Sequence, residues 1–274
     1  MNRLKIFILL LLPLLPLAAS AQLVTVSNKC YKQIQEGNQR NEAGNFQEAL
    51  DIFVSVLKNC SAKDGKEQGN VGKAIALNGL KKYEDAIEPA SAAIKLSKNK
   101  NVMAYYARSY AYQNLDQREN ARSDLFKITE LTKKNKNVKS RATMFAQLAQ
   151  LDFHLNGMSA ADSNLTKAIE LDGTNPAFFV QKGDMQVKIG NYTEAFDQYD
   201  KAVDLGKKDL EMYQIRTEAR LKQLQGKYPT RDIKELADRM TKQEKSVLCQ
   251  DLKKALELGL RNIQLDLLSG TICD

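Results

Sequence analysis

The sequence predicts an all-α fold of about six stacked helix-turn-helix units closed by a capping helix. Two observations carry the prediction. The composition favours helix: the 274 residues are 43% hydrophobic and 27% charged, with only five Pro and no Trp, while Ala, Leu, Lys, Glu and Gln are plentiful. In addition, one pattern of small, aromatic and turn-forming residues recurs at intervals of 37, 35, 40, 34 and 34 residues. A fixed period of that size marks a repeat architecture.

Ahead of the repeats, Arg3 and Lys5 precede an apolar run from Ile6 to Ala19, and Ala19, Ser20 and Ala21 supply small residues for a peptidase. Charged, apolar and cleavage regions in that order read as a secretory signal over residues 1–21. The apolar run is shorter than the ~20 residues a membrane-spanning helix needs, and Pro13 and Pro16 interrupt it. An uncleaved anchor is the alternative. The mature chain, residues 22–274, then forms one solenoid domain in the periplasm, associated with the outer membrane or secreted. It begins with Gln22 rather than Cys, so a lipoprotein is not indicated.

The clearest unit, residues 176–209, carries Phe179, Gly183, Gly190, Asn191, Tyr192, Ala195, Tyr199 and Ala202. Gly183 and Ala195 are small where two antiparallel helices meet, and the three aromatics fill the space between them. Gly190 and Asn191 make the turn because both tolerate positive φ. Asn175 and Pro176 suit a helix start. The same pattern places units near 30–63 (Gly37, Gly44, Ala49, Phe53), 67–100 (Tyr83, Ala86, Ala90, Ala93), 102–135 (Tyr105, Ser109, Ala121, Leu125) and 142–175 (Ala149, Ala161, Leu165, Ala168). Ser159 and Asp162 read as a capping box for the second helix of that fourth unit. A sixth unit, 210–258, is interrupted at 226–241. There, residues 225–229 read as a loop and 232–240 as an extra short helix, and a capping box of Thr241 and Glu244 restarts the second helix. Residues 260–270 read as the capping helix, with Leu260, Ile263, Leu267 and Leu268 on one side.

These units resemble the tetratricopeptide repeat (TPR), a helix-turn-helix of about 34 residues, over roughly residues 28–258. The resemblance implies a right-handed superhelical solenoid that binds a protein or peptide along its concave face. First-helix positions of the family that line that face correspond here to Tyr31, Ile34, Asn38 and Asn41, then Val71, Ile75 and Asn78, then Tyr106, Tyr110, Gln113 and Asn114. Gln147, Gln150 and His154 follow in the fourth unit and Asp184 in the fifth. Asn and Gln hydrogen-bond a peptide backbone, and Tyr adds apolar area with a polar tip. The family's clamp for a C-terminal carboxylate is missing: Ile34, Gly72, Met103 and Ala107 stand where its Lys, Asn and basic pair would be.

The repeat phase also sorts the four cysteines. Cys30 starts a first helix and Cys60 ends its antiparallel partner; Cys249 lies near the start of the last repeat helix and Cys273 follows the capping helix. Disulfides Cys30–Cys60 and Cys249–Cys273 are therefore expected, each closing about 25–30 residues and worth roughly 3–4 kcal/mol in the chain-entropy model. Four buried free thiols are the alternative. The run from Cys249 to Gly259, with a helix and a Cys after it, also resembles the ends of exported repeat proteins of Bacteroidetes-type bacteria.

The residues offer little chemistry. His154 is the one histidine, no Cys-x-x-Cys pair exists, and phosphate-loop, nucleophile-elbow and His-Glu-x-x-His motifs are missing. No enzyme activity, cofactor or metal is expected. The net charge of +8 is spread along the chain; its densest spot, residues 133–139, reads as an interhelical loop, so nucleic acid is not an expected partner. The expected role is a scaffold or adaptor for an envelope protein. An exported glycan- or nutrient-binding accessory is the second reading, weakened by the lack of Trp.

Overall fold

The computed structural model describes residues 26–230 and 232–273; the expected signal segment lies outside them. Among the described residues there are fourteen α-helices and no strand. The chain divides into two compact units, Met1–Leu155 and Asn156–Asp274. The first contains α1 (Asn28–Glu42), α2 (Phe46–Asn59), α3 (Lys63–Gly79), α4 (Tyr83–Leu96), α5 (Val102–Asn114), α6 (Arg118–Thr132) and α7 (Val138–His154). The second contains α8 (Met158–Leu171), α9 (Pro176–Lys188), α10 (Tyr192–Asp204), α11 (Leu210–Lys227), α12 (Ile233–Arg239), α13 (Lys242–Glu257) and α14 (Ile263–Ile272).

The two helices of a repeat begin differently. Five of the six first helices are capped by side chains: Ser27, Asn101, Asn137, Asn175 and Asp209 each accept from a backbone N–H of the first turn, filling one of its orphan donors; α3, which follows Ala62, is the exception. Second helices have no side-chain cap at Asn45, Lys82, Gln117, Gly157 or Asn191. They follow instead from one left-handed residue at the same place in each repeat: Gly44, Lys81, Asp116, Asn156 and Gly190, with φ of 78°, 60°, 57°, 61° and 80°. After Gly44, Lys81, Asp116 and Gly190 the next residue closes the preceding helix, as Lys82 N–H does on Leu77 O at 2.9 Å and Asn191 N–H on Gln186 O at 2.9 Å. That six-residue closure is a Schellman motif. It explains two departures from the sequence reading. Asn191 has φ of −84° and Gly190 alone is left-handed. Ser159 and Asp162 form no capping box, because the turn already sets the start of α8 at Gly157; Asp162 instead meets Lys182 at 3.4 Å.

Three of the five left-handed turn residues carry a Cβ that this conformation disfavours. Lys81→Gly is expected to stabilise the first unit by roughly 0.5–1 kcal/mol. Urea unfolding followed by far-UV circular dichroism would show it as a higher midpoint at unchanged slope.

Packing within each hairpin follows a size rule. Where the second helix offers a large ring, the first offers glycine. A Cβ on Gly183 would stand 2.3 Å from the Tyr199 ring, and one on Gly37 2.7 Å from Phe53. Where the second helix offers Leu125, the equivalent first-helix position is Ser109, and both are buried. Phe53 is also covered from the next repeat, where a Cβ on Gly72 would lie 2.1 Å from its ring.

The ends are held covalently: Cys30 is bonded to Cys60 and Cys249 to Cys273, with Cα atoms 5.9 and 5.3 Å apart. The insertion in the sixth repeat builds the C-terminal core. Leu236 and Ala237 of α12, with Met240 just after it, pack with Leu224, Leu248, Leu252, Leu268 and Ile272. Two boundaries differ from the sequence reading. α11 runs on through Lys227, because Leu224 is anchored in that core and Gly226 meets nothing. Val138 and Lys139 belong to α7, which Asn137 caps on Ser140 N–H. The capping helix starts later too, at Ile263. It buries Leu268 and Ile272 while Ile263 and Leu267 are 79% and 65% exposed, so the expected apolar side is only half covered.

Glu244 ties the restarted helix to the insertion. It completes the Thr241 capping box, accepts from Lys227 at 2.7 Å and from the Tyr228 hydroxyl at 3.1 Å. Burial alone would raise its carboxyl; Lys227, Thr241 and Tyr228 outweigh that and hold it down at about 2. A depressed carboxyl stabilises the fold above its ordinary value and loses that contribution as pH falls from about 4.5 to about 2. Glu244→Gln is expected to cost about 1 kcal/mol at neutral pH. It should also flatten the pH dependence of unfolding across that acid range, which denaturation series at stepped pH would read.

Candidate binding surface

In the first unit the first helices lie side by side, α3 packing against both α1 and α5. Polar side chains bolt them together. Asn41 donates from Nδ2 to Gly72 O at 3.0 Å, and Asn78, one repeat on, donates to Ala107 O at 2.8 Å. Both asparagines occupy the same repeat position and reach a carbonyl at the same position of the next first helix. Asn78 is 7% exposed. Its amide therefore sets the spacing of neighbouring helices, a task different from the partner contact expected of it.

The other expected residues fall into two groups. Asn38 and Asn114 are exposed, as is Tyr31, whose hydroxyl accepts from Gln35 at 3.0 Å. Asn114 donates to Tyr110 O at 2.8 Å and Gln113 to Ser109 Oγ at 3.3 Å. Tyr106, Tyr110, Gln147 and Gln150 are half-buried. Tyr106 packs against the core around Tyr105 and Leu148. Burial raises its hydroxyl pKa; a hydrogen bond from Gln147 opposes this, and nearby Tyr110 adds to it. The Tyr110 ring stands edge-on to Tyr83 at 6.2 Å. Val71 and Ile75 are half-buried beside them. His154 is half-buried with its ring 5.8 Å from Phe153.

Two expected positions do different work. Ile34 is 2% exposed and sits in the core with Val26, Val56 and the Cys30–Cys60 pair, because it turns toward α2. Asp184, in the second unit, accepts from the Tyr199 hydroxyl at 2.7 Å; burial, and then the Asp184 carboxylate, push that hydroxyl far above its ordinary range. Met103, exposed on α5, joins the surface although the sequence reading considered it only for the carboxylate clamp.

A recurring ion pair escaped the sequence reading. Arg108 grips Asp124 through Nε and Nη2 at 2.8 and 2.7 Å and donates to Ser91 at 3.0 Å. At the same repeat positions of the second unit, Arg216 donates to Asp251 at 2.7 Å and to Asp200. Arg220 also binds Asp251 and lies 3.9 Å over the Phe196 ring. The signal was an Arg followed sixteen residues later by an Asp in the third repeat; the insertion stretched that spacing to thirty-five in the sixth. Among the described residues, no group of three or more His, Cys, Asp or Glu is placed to hold a metal ion, and no helix is long and apolar enough to cross a membrane.

Comparison with known proteins agrees with this geometry. Residues 104–135, which span most of α5 and α6, match the model of the tetratricopeptide repeat family. A tetratricopeptide repeat protein from Parabacteroides merdae superposes with a TM-score of 0.61 at 14% identity, covering 90% of this chain and 100% of that one. The fold is that of tetratricopeptide-repeat proteins. PilF of Pseudomonas aeruginosa shares it with a TM-score of 0.63 at 13% identity over 88% of this chain and 96% of that one. So does MamA of Desulfovibrio magneticus RS-1, with 0.57 at 18% identity over 65% and 96%. Protein unc-45 homolog B of Danio rerio is 28% identical over 104 residues, 37% of this chain. The chain spans only 11% of that relative's length. The side-by-side first helices and the Schellman turns are thus features of a tetratricopeptide fold.

Proposed function

We propose that the chain is a non-catalytic scaffold that holds a protein or peptide partner in the bacterial cell envelope. The observation that carries the reading is the open surface of α1, α3 and α5, where Tyr31, Asn38, Met103 and Asn114 stand exposed on helices already locked at fixed spacing. A rigid surface loses little conformational entropy when a partner settles on it. Two disulfides fit an oxidising compartment, as the signal-like segment at residues 1–21 would require.

Crosslinking affinity purification of the tagged protein from its native host tests the reading. Reproducible crosslinks from one envelope protein to α1, α3 or α5 would support it, and Asn38→Arg with Asn114→Arg should remove them while helical content stays unchanged. Recovery of no protein above a control lacking residues 1–21 would count against it.

A further inference from the structure

The open face of the first unit is almost free of charge. Counting from the repeat starts at 30, 67, 102 and 142, five positions of each first helix fall on or beside this face: those at 31, 34, 38, 41 and 42 and their equivalents, of which Ile34, Asn78 and Ala146 are buried. Of these twenty positions Glu42 is the one carboxylate, and none is Lys or Arg. The chain as a whole is 27% charged, so about five charges would be expected by composition alone. The same positions in the repeats at 176 and 210, in the second unit, carry Asp184, Lys188, Glu211, Glu218 and Lys222, five of ten.

We infer that the first unit's face takes an uncharged extended peptide segment and discriminates against acidic and basic ones. The inference rests on the peptide-binding reading and adds the chemistry of the partner. A carboxylate or ammonium brought onto this face loses water without gaining a counter-charge, and such unpaired groups are how a surface rejects a wrong partner. The hydrogen-bonding groups point the same way. Asn38 and Asn114, both exposed, offer amide N–H donors and carbonyl acceptors and carry no charge. Such neutral amides match the N–H and C=O groups of a peptide backbone and the side chains of Asn and Gln, and give a charged side chain no counter-charge. Tyr31, Tyr106, Tyr110 and Met103 add apolar contact that needs no charge.

The test uses three pools of fluorescein-labelled peptides about 12 residues long, reaching roughly 40 Å when extended. One pool is built from Ser, Thr, Asn, Gln, Val and Tyr; the second places Asp, and the third Lys, at every third position. Fluorescence anisotropy with the full chain is read at about 50 and about 500 mM salt, conditions that differ strongly in screening. The expected result is binding of the neutral pool with less than about a twofold change between the two salts, and about tenfold weaker binding of both charged pools. Asn114→Lys should weaken the neutral pool and strengthen the acidic one, a reversal that unfolding cannot produce. Tighter binding of the acidic or basic pool, lost at high salt, would overturn the inference and leave the peptide-binding reading standing. Binding of no pool would overturn both.

Discussion

Asp251→Ala is expected to destabilise the second unit by about 3–5 kcal/mol. Asp251 is 4% exposed and holds two guanidinium groups, Arg216 on one carboxylate oxygen and Arg220 on the other. Both arginines are largely buried. Removing the carboxylate leaves two desolvated cations close together, with Asp200, which is mostly exposed, as the remaining partner of Arg216. Breaking a buried pair from one side costs far more than replacing it whole. Arg216→Met with Arg220→Leu and Asp251→Leu should therefore recover most of the loss. Hydrogen exchange of α10, α11 and α13 would localise the effect, and a change below about 1 kcal/mol in Asp251→Ala would show that the network contributes little.

Phe53→Ala is expected to cost the first unit about 3–5 kcal/mol. The Phe53 ring is fully buried and lies between Gly37 of its own hairpin and Gly72 of the next. Glycines have no side chain that can swing into the cavity, so the site collapses poorly and the cost falls at the high end for such a truncation. The size rule across the repeats supplies a repair. Phe53→Leu with Gly37→Ala follows the third repeat, where a leucine, Leu125, stands opposite a residue larger than glycine, Ser109, and should restore part of the stability that Phe53→Leu alone loses. Urea unfolding of the three variants checks both statements; equal midpoints for Phe53→Leu with and without Gly37→Ala would refute the size rule.

Much of this molecule was legible in its sequence. The repeat phase follows from Gly37, Ala49, Phe53 and their equivalents, because the residues that let two antiparallel helices approach recur with the helix period itself. The same phase selects the two disulfide pairs, since it says which helix ends lie together. Thr241 and Glu244 announce a helix start because a capping box is local chemistry. The uncharged first-helix positions of the first unit could also be counted from the sequence once the phase was known.

Tertiary structure decided the rest. Lys81, Asp116 and Asn156 carry no marker of a left-handed turn as plain as Gly44 or Gly190, and packing of the flanking helices imposes that conformation on them. Asn41 and Asn78 look like any groove-facing amides until the next helix brings a carbonyl within 3.0 Å and 2.8 Å. Ile34 turns inward because the Cys30–Cys60 end of α2 covers it, and Asp251 finds Arg216 only across an insertion. The division is physical. Helix periodicity, turns and caps depend on residues a few places apart, whereas which side of a helix is covered depends on neighbours about twenty to thirty-five residues away that only folding assembles.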